Sequence, residues 1–144
     1  DQLKSNILIN NFDNIHIFNL ALSNKKKKIE MWVSDIKRTG GFSVFNKNDE
    51  ELKKYNLTYS ELTQSDLADN MLDIKNSNIA IKIDVERHEE EVLLGASKLL
   101  TENKVIIQIE IFDERKKKVF DILQSYKYQL YNNIGKDYYF RNFI

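Results

Sequence analysis

The spacing of apolar residues changes from alternate positions to helical intervals between residues 79 and 100. Over residues 79–85 the odd positions are all isoleucine or valine, which is typical of a β-strand. Over residues 88–100 the apolar residues recur at intervals of three and four, as on a helix that covers a core. The segment therefore predicts a strand, a short turn and a helix. Asp84 and Glu86 fall at the carboxyl end of the strand, where ligands bind in open α/β sheets.

The same two patterns predict the other elements of the chain. In the first half of the chain we expect a short helix over residues 1–11, then strands over 15–22 and 29–33 that pair as a hairpin. Residues 46–65 should be loop with a short helix or strand, and a helix should follow over 66–72 with Ser65 as its N-cap. In the second half we expect a strand over 105–112 with Glu110 at its end, a helix over 113–125, and an antiparallel hairpin of 126–131 with 138–143. Residues 15–22 are apolar on both faces, so we expect helices on both sides of the sheet. This order predicts an α/β fold with a mostly parallel sheet and an antiparallel terminal hairpin.

Composition and charge narrow the class of protein. A chain of 144 residues fits one domain that buries about two-thirds of its unfolded surface. The 22 basic residues balance the 22 acidic ones, so no net field attracts nucleic acid or an anionic membrane. Cysteine is absent, which excludes disulfides and thiolate zinc sites. Without a membrane-spanning run or a signal-peptide pattern, we expect a cytoplasmic protein.

Two carboxylates end predicted strands that are neighbours in the sheet. Asp84 and Glu110 should then lie close together at the carboxyl edge. Such a pair can share a divalent cation such as Mg²⁺ or hold one proton and act as an acid or base. The structural alternative is that Asp84 caps the following helix or pairs with Lys82 or Arg87.

Other candidate residues have simpler interpretations. The glutamates at positions 89–91 suit the first turn of a helix, where the dipole favours negative charge. His88 is interpreted as a solvated residue at the helix start rather than as a base. The pair Gly40 and Gly41 is interpreted as a plain turn, with a ligand-approaching loop as the alternative. A metal nuclease is disfavoured because Phe112 stands two residues past Glu110, where such enzymes commonly need lysine.

The central segment also carries a family pattern. The run IKIDVERHEEEVLLGASKLL, followed by VIIQIEIF, resembles the C-terminal half of FkbM-type S-adenosylmethionine-dependent methyltransferases. The matching positions are Lys82, Asp84, Glu86, Glu89, Val92, Leu93, Gly95, Ala96 and Glu110. Arg87 stands where the family has glycine, so the turn must tolerate a side chain or shift. A weaker match places Ala21, Leu22 and Ser23 on an A-L-S pattern.

The resemblance implies a fold and an activity. The fold would be a Rossmann-like class I methyltransferase sheet, and the reaction would move a methyl group from S-adenosylmethionine to a hydroxyl oxygen of a sugar or secondary metabolite. Asp84, Glu86 and Glu110 would be the catalytic residues. Ala21 and Leu22 would line the adenine pocket. The partner would be a small-molecule or glycan acceptor, and participation of Mg²⁺ is left open.

Part of the family pattern is absent from the sequence. The family binds its cofactor with a glycine-rich turn after the first strand and an acidic residue after the second, and neither occurs here. We therefore interpret residues 1–144 as a partial methyltransferase domain that lacks those N-terminal strands and acts within a larger chain. The strands over 15–22 and 79–85 should then not pair well, or should leave an exposed edge. The alternative is a non-catalytic, Rossmann-like accessory module, which a start codon just before Asp1 would favour.

Overall fold

The structure is a computed structural model that describes residues 2–33, 43–44, 50–54 and 57–144. Within these ranges the helices are α1 (Gln2–Ile9), α2 (Glu50–Lys54), α3 (Ala68–Met71), α4 (Glu89–Gly95), α5 (Ser97–Thr101) and α6 (Asp113–Ser125). The strands are β1 (Ala21–Leu22), β2 (Lys27–Val33), β3 (Ser43–Val44), β4 (Tyr59–Asp66), β5 (Asn78–Ile83), β6 (Lys104–Glu110), β7 (Gln129–Ile134) and β8 (Asp137–Arg141). None of the described helices has the length and apolar character needed to cross a membrane.

The strands form two mixed sheets. The first sheet has the order β1-β4-β2-β3 and the second has the order β5-β6-β8-β7. The described parallel pairs are β1 with β4 and β5 with β6, and the other four pairs are antiparallel. The architecture is therefore α/β as predicted, but the prediction of a mostly parallel sheet is wrong. Parallel pairs need long crossovers, and the hairpin β7–β8 instead places an antiparallel strand beside β6.

The N-terminal region departs most from the predicted pattern. The helix α1 is confirmed, but the strand predicted over 15–22 is wrong because only Ala21 and Leu22 pair in a sheet. Ile15, Ile17 and Phe18 are exposed instead. An alternating apolar segment forms a strand only when a ladder is available, and no described strand pairs with residues 15–20. The predicted hairpin is wrong as well, since β2 pairs with β4 along seven residue positions.

The Ser65 prediction also needs correction. Ser65 is a buried residue of β4, and its hydroxyl donates to the carbonyls of Lys25 at 2.8 Å and Lys27 at 3.0 Å. It is therefore no N-cap. The start of α3 is held by Asp66, whose carboxylate accepts from the Leu67 amide at 2.8 Å. Gly40 and Gly41 lie outside the described residues.

The second sheet matches the sequence pattern closely. The strands β5 and β6 are parallel, with Ile83 opposite Ile109, and both α6 and the terminal hairpin are confirmed. The helix predicted from His88 to Leu100 is instead two helices, because Ala96 has φ −114° and ψ 19° between α4 and α5. The strand β5 lies at the end of its sheet and in a different sheet from β1. Among the described residues no strand pairs with the outer side of β5, which agrees with the predicted exposed edge.

The core lies between the second sheet and the helices α4, α5 and α6. It contains the buried side chains Ile83, Val92, Leu93, Leu99, Leu100, Val105, Ile107, Ile109, Val119, Leu123 and Phe140. The odd-numbered residues from 105 to 109 on β6 point into it, and the even-numbered ones are more exposed. This alternation fixes the face of β6 that packs on the helices.

One helix connects the second sheet to the first. His88, just before α4, has its Nε2 atom 3.1 Å from the hydroxyl oxygen of Ser23, which is buried after β1. Gly95, at the end of α4, approaches Ser23 so closely that an added Cβ would collide with the Ser23 carbonyl. The absence of a side chain at Gly95 therefore permits this contact.

Gly95→Ala should destabilise the protein. In a helix, alanine is normally favoured over glycine by about 1 kcal/mol, so a free position would gain stability. Crowding against the Ser23 carbonyl should instead lower the free energy of unfolding by about 1–3 kcal/mol, measured by urea denaturation. Gly135→Ala is the control for crowding, because an added Cβ there meets nothing within 4 Å and only its left-handed φ costs about 1–2 kcal/mol. A Gly95→Ala protein as stable as the parent would disprove the close contact.

Candidate functional site

Three carboxylates meet at the carboxyl edge of β5 and β6. Asp84 follows β5, Glu110 is the last residue of β6, and the parallel register brings these strand ends side by side. Glu86 joins them from the turn after β5. One carboxylate oxygen of each residue lies within 4.8 Å of the others. The predicted proximity of Asp84 and Glu110 is confirmed, and their chemical roles stay predictions.

The three carboxylates of the cluster have different electrostatic surroundings. Burial raises the pKa of Glu110, and the Asp84 and Glu86 carboxylates raise it further, while Lys136 acts in the opposite direction. Lys82 donates to Asp84 Oδ2 at 2.7 Å, and the same contact raises the pKa of Lys82. The structural alternative for Asp84, a pair with Lys82, is thus present. Because like charges at close range disfavour simultaneous ionisation, Glu110 is the member best suited to hold a proton.

A strained turn places Glu86 in the cluster. Glu86 has φ 49° and Arg87 has φ 76°, a left-handed conformation that non-glycine residues rarely adopt. The Arg87 amide donates to Glu89 Oε1 at 2.7 Å. The Arg87 guanidinium lies 4.1 Å from the centre of the Phe112 ring, and the Arg87 Nε donates to Glu114 at 3.0 Å. The turn therefore tolerates a side chain at position 87, which is one of the two outcomes predicted for arginine in place of the family's glycine.

Comparison with known proteins assigns the family. The model of the methyltransferase FkbM domain matches residues 2–130 of the chain. The chain belongs to the FkbM methyltransferase family. The resemblance drawn from the motifs is therefore confirmed. No curated protein and no solved structure matches the chain.

Glu89 occupies a position of the FkbM motif, and its burial was not among the predictions from the sequence. Its charge predicts a helix-initiating residue, yet it is only 1% exposed. Burial raises the pKa of the Glu89 carboxyl. The hydrogen bond from the Arg87 amide lowers this pKa, but burial is the larger effect. The signal was present, because Glu89 lies three, four and seven residues before Val92, Leu93 and Ala96 on the apolar face.

The two other glutamates of this turn are less deeply buried and lie beside basic side chains. Glu90 lies 3.3 Å from Arg115 and 3.6 Å from Lys118. Glu91 lies 3.5 Å from His88 Nδ1. The interpretation of His88 as a solvated residue is wrong, since its side chain is largely buried between Glu91 and Ser23. Burial lowers the pKa of His88. His88 therefore serves the contact between the two sheets.

The FkbM residues predicted to hold adenine lie at the end of the first sheet. Leu22 is one wall of an apolar cavity of about 360 Å³ that runs along the free edge of β5. Lys82 is the one charged residue among its described lining residues. Ala21 is half-buried and does not belong to that lining. A cofactor-binding role for Ala21 and Leu22 stays a prediction.

The mutual effect of the carboxylates predicts how Glu110 titrates. Its pKa, followed by carboxyl ¹³C NMR, should lie above the usual value of about 4.3. Asp84→Asn should lower it while leaving it raised, because burial remains the larger cause. Since the folded-state pKa is raised, the stability tied to Glu110 is present below about pH 4.3 and is lost as pH rises through the folded pKa. Asp84→Asn should reduce that loss.

Asp73→Asn is the matched control for this titration, since Asp73 is an exposed aspartate paired loosely with Lys75. It should leave the pKa of Glu110 unchanged. A Glu110 pKa that is the same in Asp84→Asn and in the parent would show that the two carboxylates do not interact.

Proposed function

We propose that this chain, within a larger polypeptide, transfers a methyl group from S-adenosylmethionine to a hydroxyl oxygen of a sugar or secondary metabolite. The observation that carries the proposal is the convergence of Asp84, Glu86 and Glu110 at one sheet edge in a member of the FkbM methyltransferase family. That edge is where α/β proteins bind ligands. We further propose that the acceptor is the main partner and that the protein works in the cytoplasm.

The carboxylates fit the needs of oxygen methylation. A bond forms between the hydroxyl oxygen and the methyl carbon, the bond from that carbon to sulfur breaks, and the hydroxyl proton must leave. Asp84 is about half exposed and is held by Lys82 at 2.7 Å, so it can accept a hydrogen bond from an acceptor hydroxyl and take its proton. Holding the hydroxyl in line with the methyl group supplies much of the acceleration.

The same three residues suit a hard divalent cation. Carboxylate oxygens are preferred ligands of Mg²⁺ and Ca²⁺, and the oxygens of Asp84, Glu86 and Glu110 lie close enough to share one ion. A bound Mg²⁺ would polarise the acceptor hydroxyl. The deprotonation by Asp84 needs no ion, so metal dependence is a separate question.

The fit to the methyl donor is incomplete within this sequence. The apolar wall at Leu22 suits an adenine ring. The sequence has four glycines, with no glycine-rich turn among them. The remainder of the site is therefore proposed to come from another part of the larger chain. The alternative function, a non-catalytic accessory module, is favoured by this gap and by Arg87 at the family's glycine position.

Asp84→Asn in the complete polypeptide should lower turnover at least ~10²-fold and change stability little, because it removes a proton acceptor without altering shape. The measurement is transfer of a radiolabelled methyl group from S-adenosylmethionine to a panel of sugars and hydroxylated metabolites. Asp73→Asn, a change of the same kind at an exposed position, should retain full activity. Full activity of Asp84→Asn would reduce Asp84 to a structural residue, and an inactive parent would favour the accessory module.

Metal dependence is tested in the same assay. If Mg²⁺ participates, a chelator should abolish transfer and added Mg²⁺ should restore it. Turnover that is insensitive to the chelator would leave the carboxylates with the proton-transfer role alone.

The 144-residue chain by itself should bind S-adenosylmethionine very weakly or not at all. The ribose hydroxyls and the methionine end need buried hydrogen bonds, and each loss costs roughly 1–3 kcal/mol, or about one to two decades of affinity. Isothermal titration calorimetry of the chain measures this directly. Micromolar binding would show that another segment replaces the missing turn, and the partial-domain interpretation would be abandoned.

A further inference from the structure

Glu89 is an acidic residue in the core of the protein. It is 1% exposed, and Val92 and Leu93 of the same helix are buried as well. A buried carboxylate is costly unless hydrogen bonds compensate for the lost water. The contacts of the Glu89 carboxylate therefore indicate what this residue does.

The carboxylate is directed at the turn that precedes its own helix. Its Oε1 atom accepts from the Arg87 amide at 2.7 Å. Its Oε2 atom is buried and has no hydrogen-bond partner in the described part of the chain. Glu90 and Glu91 already supply negative charge to the first turn of α4: Glu90 pairs with Arg115 and Lys118, and Glu91 lies beside His88. Helix initiation therefore does not explain why Glu89 is buried.

The turn needs external support. Glu86 and Arg87 are consecutive non-glycine residues with positive φ, a conformation that persists only when surrounding contacts impose it. The Arg87 side chain is fixed by Phe112 and Glu114. The Arg87 backbone is fixed by Glu89. Both the side chain and the main chain of Arg87, the residue next to Glu86, are therefore held by neighbouring groups.

We propose that Glu89 is a positioning residue whose buried carboxylate holds the left-handed turn and thereby keeps Glu86 beside Asp84 and Glu110. The assignment rests on the proposed function for its catalytic consequence, and on the contacts of the turn for its structural part. Glu89 does not touch the acceptor. It acts through the Arg87 amide on the direction in which the chain leaves Glu86.

Two substitutions of similar volume separate this role from simple packing. Glu89→Gln retains an oxygen acceptor for the Arg87 amide, whereas Glu89→Met fills the space without one. Amide hydrogen exchange of Arg87, followed by NMR in the 144-residue chain, should be within about threefold of the parent in Glu89→Gln and at least ~10-fold faster in Glu89→Met. Glu102→Met, at an exposed glutamate at the end of α5, is the control and should leave this exchange unchanged.

The catalytic consequence is read in the complete polypeptide. Glu89→Met should lower kcat about tenfold or more with little change in the KM for S-adenosylmethionine, and Glu89→Gln should restore most of it. Equal exchange rates and equal kcat in the Gln and Met variants would overturn the proposal in favour of a packing role. If the parent transfers no methyl group, the proposed function fails, while the Arg87 exchange rates still decide whether Glu89 holds the turn.

Discussion

The parallel pairing of β5 with β6 is the constraint on which the candidate site depends. Because both strands run in the same direction with Ile83 opposite Ile109, Asp84 and Glu110 leave the sheet at the same edge. An antiparallel neighbour would place them at opposite ends. The register is held by the buried side chains of Val105, Ile107 and Ile109, since a slip of one residue would turn them away from the helices.

The turn between β5 and α4 adds Glu86 to the pair of carboxylates at the strand ends, and its left-handed backbone costs conformational free energy. Each left-handed residue other than glycine costs about 1–2 kcal/mol, and Glu86 and Arg87 both adopt this conformation. The contacts of Arg87 with Glu89, Phe112 and Glu114 offset that cost. The helix α4 that begins here also reaches Ser23 through His88. The geometry of the site and the contact between the sheets thus share one helix.

The sequence predicts best where local pattern and packing agree. The helix over 113–125 and the paired parts of β5 and β6 follow from periodicity alone, although each predicted strand continues two residues past the observed end. Residues 15–20 have the pattern of a strand, but pairing depends on a neighbour that local pattern cannot supply. Ser65 has the chemistry of a helix cap, yet β4 continues through it because its hydroxyl satisfies two carbonyls after β1. The charge of Glu89 predicts a helix-initiating residue, but its position on the apolar face of α4 determines that it is buried.

A disulfide cross-link tests the arrangement of the strand ends most directly, since the chain contains no cysteine. Neighbouring strands lie about 4.8 Å apart, within the range of about 4.4–6.8 Å that a disulfide spans between Cα atoms. Under mild oxidation the double variant Asp84→Cys with Glu110→Cys should form an intramolecular disulfide, measured by loss of free thiols in the monomer. Asp84→Cys with Glu102→Cys, at the other end of the crossover, should not. Equal cross-linking of the two pairs, or none in the first, would contradict the parallel pairing of β5 and β6.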